Sequence, residues 1–143
     1  MIKEALLYEK LDNNKVQCTL CAHRCVIDEL KFGRCGMRSN EKGTLFTHTY
    51  GALIAQHVDP IEKKPLHHFL PGSRSFSIAT AGCNFNCDFC QNWQISQQST
   101  LKGTRAAENV PARAIVIAAD RARCKSIAYT YTEPTIFFEY AFD

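Results

Sequence analysis

Three cysteines lie close together at Cys83, Cys87 and Cys90, in the spacing Cys-x-x-x-Cys-x-x-Cys. Thiolates are soft ligands that suit iron–sulfur clusters, zinc or copper(I). Three thiolates on one short loop can hold three corners of a cuboidal iron–sulfur cluster, so that the fourth iron has no ligand from this loop. An open coordination position is where a substrate or cofactor can bind a metal. The spacing therefore predicts a cluster with one iron free for chemistry.

This spacing resembles the signature of the radical S-adenosylmethionine (SAM) enzymes. Phe89 supplies the aromatic residue that this family prefers before the third cysteine. The longer segments 82–96, 59–66 and 129–135 are similar to one branch, the AmmeMemoRadiSam-system radical SAM enzymes, which is near the pyruvate formate-lyase activating enzymes. The resemblance extends over nearly the whole chain.

The resemblance implies an oxidoreductase-type reaction on SAM. SAM would chelate the open iron of a [4Fe–4S] cluster, and one electron would cleave it to methionine and a 5′-deoxyadenosyl radical that abstracts hydrogen from a substrate. The implied partners are SAM and a one-electron reductant of the flavodoxin or ferredoxin type. Similarity to the activating enzymes suggests a protein substrate by analogy alone, since function resides in sites rather than folds.

The candidate cofactor contacts are Phe89, Asn92, Thr132 and Glu133. The resemblance implies that Phe89 would lie against the adenine side of SAM, with core packing as the alternative. Independently of the resemblance, the Gln91-Asn92 pair is expected to donate to cluster sulfurs and tune the cluster's potential. Tyr131-Thr132-Glu133 stands where many members of the family have Gly-Gly-Glu, so the acid is kept without the glycines. The Glu133 carboxylate would face the methionyl ammonium of SAM. The alternative is an acid that stabilises the start of the following helix.

A second group of cysteines lies near the amino terminus and comprises Cys18, Cys21, Cys25 and Cys35. Four thiols fit a closed tetrahedral zinc site or a second iron–sulfur cluster. Gly33 and Gly36 flank the last of them and allow a tight turn around a metal. Reduced structural cysteines without a metal, or a disulfide pair, are the alternatives.

The expected fold class is α/β. A strand over residues 75–79, a helix over 109–124 and a strand over 126–131 predict a βαβ unit with parallel strands, followed by a helix from residue 135. The cysteine loop and Glu133 would then share the carboxyl edge of the sheet, where ligands gather in α/β folds. Cys124 would lie at the opposite end.

Two regions are expected. Residues 1–72 form a cysteine-rich, β-containing region in which strands over 45–50 and 53–58 suggest a hairpin. Residues 73–143 begin a radical SAM core with room for about two βα units, which is a partial barrel by the family resemblance. We therefore expect the amino-terminal part of a longer enzyme, or a shortened gene product. The apolar residues Ile136, Phe137, Phe138, Tyr140 and Phe142 are expected to lack residues that bury them.

The composition narrows the class of protein. The 143 residues are 45% hydrophobic and 22% charged with a net charge of +3, which is globular and too mildly basic to indicate nucleic acid. No secretory leader or membrane span is apparent, so a reducing cytoplasm is expected and clustered cysteines there indicate metal binding. The competing classes are a non-enzymatic zinc-binding module and an electron carrier, although carriers usually close all four iron positions with cysteine.

Overall fold

The structure is a computed structural model that describes residues 1–97 and 108–143. The described residues form strands β1 (Lys3–Glu4), β2 (Tyr8–Lys10), β3 (Val16–Cys18), β4 (Val26–Ile27), β5 (Arg38–Glu41), β6 (Thr44–Thr47), β7 (Ala52–Pro60), β8 (Arg74–Thr80), β9 (Glu108–Asn109) and β10 (Ser126–Tyr129). The helices are α1 (Trp93–Ser96), α2 (Ala112–Arg121) and α3 (Phe138–Phe142), with 3₁₀ helices over Ile61–Lys63 and Pro134–Phe137. No helix in these ranges is long and apolar enough to cross a membrane.

The strands form three small sheets. β1, β6 and β5 make one antiparallel sheet, and β2, β3 and β4 make another. The third sheet has four strands in the order β10-β8-β7-β9. The protein is therefore a mixed α/β structure.

The four-stranded sheet contains the predicted βαβ unit. β8 and β10 pair in parallel with Ser75 opposite Ser126, and α2 lies between them in the chain. Pro111 precedes the first turn of α2 in extended conformation, and the helix buries Ile115 and Ala119 against the sheet. The predicted strands and their parallel pairing are thus confirmed, whereas the helix predicted over 109–124 is shorter, because Asn109 belongs to β9 and the helix ends at Arg121.

The partial barrel is not established by this sheet. β7 lies between β8 and β9 and runs antiparallel to both of them. A radical SAM barrel would continue in parallel strands, whereas the described residues contain a single parallel pair. β8 is paired on both sides, because β7 pairs with its other edge through seven residue pairs.

The strands over 45–50 and 53–58 lie in different sheets and do not form a hairpin with each other. β6 instead pairs with β5 through a tight turn at Lys42 and Gly43, both of which have positive φ (52° and 76°). Two positive φ values in a two-residue connection match the right-handed twist of the strands. β7 leaves this sheet and pairs along β8.

The expectation that the apolar residues after residue 135 lack burial is wrong for three of them. Ile136, Phe137 and Tyr140 are buried in the main core with Ile78 of β8 and Met37 of the amino-terminal region. Residues that precede β8 in the chain pack onto this segment. The prediction considered only the residues after it and therefore missed these contacts. Phe142 does remain exposed.

Candidate metal centre and cofactor site

The cysteine loop begins where the buried strand β8 ends. Residues from Ser75 to Thr80 are buried, and the chain then turns at Gly82, whose φ is +85°. The Gly82 N–H donates to the carbonyl of Ile95 (2.9 Å), which closes the loop from residue 82 to α1. The three predicted cluster ligands therefore lie on one loop held at both ends.

The three thiols of this loop differ in exposure. Cys83 and Cys90 are partly buried, whereas Cys87 is exposed at the outer part of the loop. The Phe85 N–H donates to Cys83 Sγ (3.4 Å), and Cys90 Sγ lies 3.2 Å from Ser96 Oγ. Polar groups directed at sulfur are one means by which a protein tunes an iron–sulfur cluster.

The donor chemistry of this loop fits an iron–sulfur cluster. Within residues 1–97 and 108–143, no group of three or more His, Cys, Asp or Glu side chains is already arranged to hold a metal ion. Cluster binding would thus require the thiols to converge. The exposed position of Cys87 is compatible with such a movement.

The loop after β10 reaches the same edge of the sheet. Thr132 is buried, and its hydroxyl donates to the carbonyl of Thr80 at the end of β8 (3.0 Å). Glu133 follows and accepts from Thr135 Oγ1 (2.6 Å) and the Thr135 N–H (3.4 Å), which caps the 3₁₀ helix Pro134–Phe137. Both contacts use Oε1 of Glu133. The predicted shared edge is therefore observed, and Glu133 also has the helix-start role that was its alternative.

The two other predicted cofactor contacts lie beside this edge. Phe89 is 89% exposed, so its side chain is not packed in the core. Asn92 immediately precedes α1 and lines an open groove of about 360 Å³ with Ile95 and Tyr131. Both side chains are thus accessible to a ligand.

The amino-terminal cysteines gather around one small cavity of about 20 Å³, lined by Cys18, Cys21, Cys25 and Cys35. Cys18 ends β3, and its N–H donates to the carbonyl of Cys25 (2.9 Å). Arg24 donates to the carbonyl of Cys21, and Gly36 donates to the carbonyl of Gly33. Two cysteine-bearing turns therefore line the same space.

Cys18 is buried, and Cys21, Cys25 and Cys35 are partly buried. Burial raises the pKa of the Cys18 and Cys35 thiols, and the nearby Arg38 charge opposes that rise. Desolvation therefore favours the neutral form of the Cys18 and Cys35 thiols.

Arg38 lies at the wall of this cavity and was not singled out from the sequence. Its side chain is 1% exposed, and Nη2 donates to both carboxylate oxygens of Glu139 (2.6 and 2.7 Å). Nε and Nη1 are buried without a hydrogen-bond partner among the described residues. A lone Arg in a short polar segment gives no sequence signal of such burial.

Asp59 is a second polar centre that sequence reasoning missed. It is buried and accepts hydrogen bonds from Lys63 (2.8 Å), Lys64 (2.8 Å), Ser77 (2.7 Å) and Tyr131 (2.6 Å). Burial alone would raise the pKa of Asp59, but these hydrogen bonds outweigh it and hold the pKa well below its usual range. The Asp-Pro-Ile-Glu-Lys-Lys sequence was the available signal.

Cys124 lies at the other end of the sheet, as expected. Its N–H donates to the carbonyl of Ala119, and the next residue, Lys125, donates to the carbonyl of Arg74 at the start of β8. Cys124 is partly buried against the main core. The length of β8 therefore separates Cys124 from the cysteine loop.

Comparison with known families agrees with this arrangement. Residues 77–143, a little under half of the chain, match the family model of the Radical SAM superfamily. The matched segment contains the cysteine loop and the loop with Thr132 and Glu133. The match points to a [4Fe–4S] cluster and SAM as the cofactors of this segment.

Two relatives extend the similarity to the amino-terminal region. An uncharacterized protein of Methanocaldococcus jannaschii is 44% identical over 147 residues, covering 99% of this chain and 42% of that protein. A second uncharacterized protein of that organism is 30% identical over 122 residues, covering 82% of this chain and 31% of that protein. The chain thus spans less than half the length of these relatives. No solved structure matches the chain.

Proposed function

We propose that this chain is the amino-terminal part of a radical SAM enzyme that holds a [4Fe–4S] cluster at Cys83, Cys87 and Cys90. Held by these three thiolates, a cluster of this kind would supply the electron for reductive cleavage of SAM to methionine and a 5′-deoxyadenosyl radical. The observation that supports the proposal most is the hydrogen bond from Thr132 to Thr80, which joins the loops after two parallel strands. Ligands of α/β folds bind at this edge.

The surrounding residues have distinct roles in the proposal. Glu133 has its Oε1 engaged with Thr135, and its carboxylate would attract the ammonium group of SAM. Asn92 is accessible beside the loop and would donate to cluster sulfur or to SAM. Phe89 is exposed and would cover the adenine when SAM is bound. Displacing water from these groups would strengthen their polar contacts with the cofactor.

The finer assignment rests on resemblance. We propose the AmmeMemoRadiSam-system branch, near the pyruvate formate-lyase activating enzymes, because segments 59–66 and 129–135 are similar to it. A protein substrate and a flavodoxin- or ferredoxin-type reductant follow from the same analogy, and the clustered cysteines favour a reducing, cytoplasmic location. The remaining barrel strands would belong to a longer protein, as the length of the relatives suggests.

The test begins with anaerobic reconstitution of the 143-residue chain with iron and sulfide. We expect bound iron and sulfide and a reduced-cluster electron paramagnetic resonance spectrum that changes when SAM is added. Cys87→Ala should lose this cluster, because each thiolate holds one corner. Cys87 is exposed, so its substitution is not expected to disturb the core.

Cys124→Ala is the matched control, because Cys124 is far from the loop in the sheet. It should keep the iron content and the response to SAM of the unmodified chain. Iron retained in Cys87→Ala, or a cluster spectrum indifferent to SAM, would contradict the proposal. Zinc taken up by this loop in preference to iron would favour the zinc-binding module instead.

A further inference from the structure

The cavity between the two amino-terminal turns is small, which favours a single ion over a cuboidal cluster. Its volume is about 20 Å³, whereas a space of about 10–15 Å³ holds one water molecule. A cuboidal cluster contains eight core atoms and needs far more room. Cys18, Cys21, Cys25 and Cys35 all line this cavity, although these thiols, like those of the cluster loop, are not already arranged around a metal position in the described residues and would have to converge on one.

The buried guanidinium of Arg38 is a second, independent observation that favours a ligand in this cavity. Its guanidinium is buried and lines the space, and Glu139 satisfies only the donors on Nη2. The donors on Nε and Nη1 lack a partner within the described parts of the chain. Leaving buried donors of a charged group unpaired is costly, because the group has lost its hydration without gaining a partner. Metal-bound thiolates would accept these hydrogen bonds and place negative charge beside the cation.

His23 also lines the cavity, but its ring has another partner. Its Nε2 lies 2.8 Å from the carbonyl oxygen of Asn84, in the cysteine loop after β8. The ligand set is therefore the four thiols. Tetrahedral coordination by four thiolates is typical of zinc in closed structural sites.

We propose that Cys18, Cys21, Cys25 and Cys35 bind one zinc ion, and that this ion holds the amino-terminal turns against the loop of Cys83, Cys87 and Cys90. The site is structural and is separate from the proposed cluster. The four thiols lose their protons on binding, and the zinc remains divalent throughout.

Two contacts connect the proposed zinc site with the cluster loop. His23 lies between Cys21 and Cys25 in the chain and contacts Asn84. On the other turn, the carbonyl of Cys35 lies 3.1 Å from the position that a Cβ on Gly82 would take, and Met37 Cε lies 2.9 Å from it. Gly82 is thus packed directly against the turn that carries Cys35. Fixing that turn would restrict where the cluster loop begins.

The test measures zinc in the full 143-residue chain prepared anaerobically in medium containing zinc and iron. We expect one zinc per chain in the unmodified protein, in Cys124→Ser and in Cys87→Ala, and little zinc in Cys25→Ser. Cobalt in place of zinc should give the absorption bands of tetrahedral thiolate coordination. His23→Ala should also keep its zinc, because His23 is not a ligand in the proposal.

A second measurement needs no substitution in the zinc site. Removing zinc from the unmodified chain with a chelator should accelerate amide exchange over residues 82–90, and adding zinc should reverse this. The proposal would be overturned if Cys25→Ser kept its zinc, if His23→Ala lost its zinc, or if these thiols bound iron in place of zinc. Amide exchange over residues 82–90 that did not respond to the chelator would also overturn it. The cluster proposal is tested separately, because it fails if Cys87→Ala retains its iron, whatever the zinc content of the chain.

Discussion

Asp59 connects residues that are far apart in the chain. Its carboxylate is buried and receives hydrogen bonds from Lys63 and Lys64 after β7, from Ser77 on β8 and from Tyr131 after β10. Tyr131 immediately precedes Thr132 and Glu133, so the Asp59 contact helps to position the proposed cofactor loop. A charged acceptor makes hydrogen bonds about twice as strong as neutral ones.

We predict that Asp59→Asn destabilises the fold by about 2–3 kcal/mol, because Lys64 loses its counter-charge while it remains largely buried. Its effect should depend on pH. The pKa of Asp59 is lower in the folded chain than the value of about 3.9 in an unfolded chain. The stabilisation is therefore fully present above about pH 4 and is lost as the pH falls below that value toward the folded pKa.

Chemical denaturation of both proteins between neutral and acidic pH would check this prediction. The difference in unfolding free energy should shrink on acidification below the unfolded pKa of Asp59. Asp120→Asn is the matched control, because Asp120 is exposed on α2, and it should behave like the unmodified chain. A difference that stays constant with pH would rule out a role for the Asp59 charge.

The roles of some single residues can be predicted from the sequence, and those of others cannot. The spacing of Cys83, Cys87 and Cys90 is sufficient to predict a cluster loop, because the ligands are neighbours in the chain. The partners of Arg38 and Gly82 are distant in the chain, and only the fold brings them together. The sequence pattern therefore predicts the ligands of the site and misses the contacts that support it.

At the scale of elements, α3 is attached to the amino-terminal region by a buried ion pair. Glu139 on α3 accepts two hydrogen bonds from Arg38 on β5 and a third from the Leu6 N–H (3.1 Å). Both charged side chains are only 1% exposed. Breaking such a pair leaves a buried charge without compensation, and the cost is far larger than that of losing a surface pair.

We predict that Glu139→Ala destabilises the chain by about 3–5 kcal/mol, because the Arg38 guanidinium would stay buried without its counter-ion. Thermal unfolding followed by circular dichroism would measure the loss. A double variant, Arg38→Met with Glu139→Leu, should recover much of the stability, since it removes both charges and keeps apolar volume.

Lys3→Ala is the matched control for this pair. Lys3 pairs with Asp143 at the end of α3 (2.7 Å), so it connects the same two regions of the chain, but both partners are exposed to solvent. Surface pairs contribute little, and this substitution should leave the melting temperature nearly unchanged. Equal effects of Lys3→Ala and Glu139→Ala would show that burial of the Arg38 pair is unimportant.

The elements themselves were predicted with unequal success. β8, α2 and β10 follow from local patterns, and their parallel pairing follows from the handedness and adjacency of βαβ units. β6 pairs with β5 because a two-residue turn at Lys42 and Gly43 connects them. The sequence analysis did not identify this turn and therefore predicted the wrong partner for β6. The strand β7 pairs with a strand beyond the turn near residue 72, so its partner could not be inferred from alternation alone.

At the scale of the whole chain, two apolar cores occupy the described residues. The smaller one contains Val16, Ile27 and Leu45, and the larger one contains Ile78, Phe137 and their neighbours. The larger core also includes two groups from before residue 72, Met37 and Leu53. The division of the chain at residue 72 remains a prediction, and these contacts cross it.

We predict that the 143-residue chain unfolds in a single cooperative transition. β7 is paired with β8, Met37 is packed in the larger core, and Arg38 is ion-paired with Glu139, so unfolding either side of residue 72 would expose apolar or charged groups of the other. Denaturant titration monitored by amide exchange should give the same opening free energy for Leu45 in the smaller core and Ile78 in the larger one. Distinct midpoints for these two amides would instead support two independently folding regions divided near residue 72.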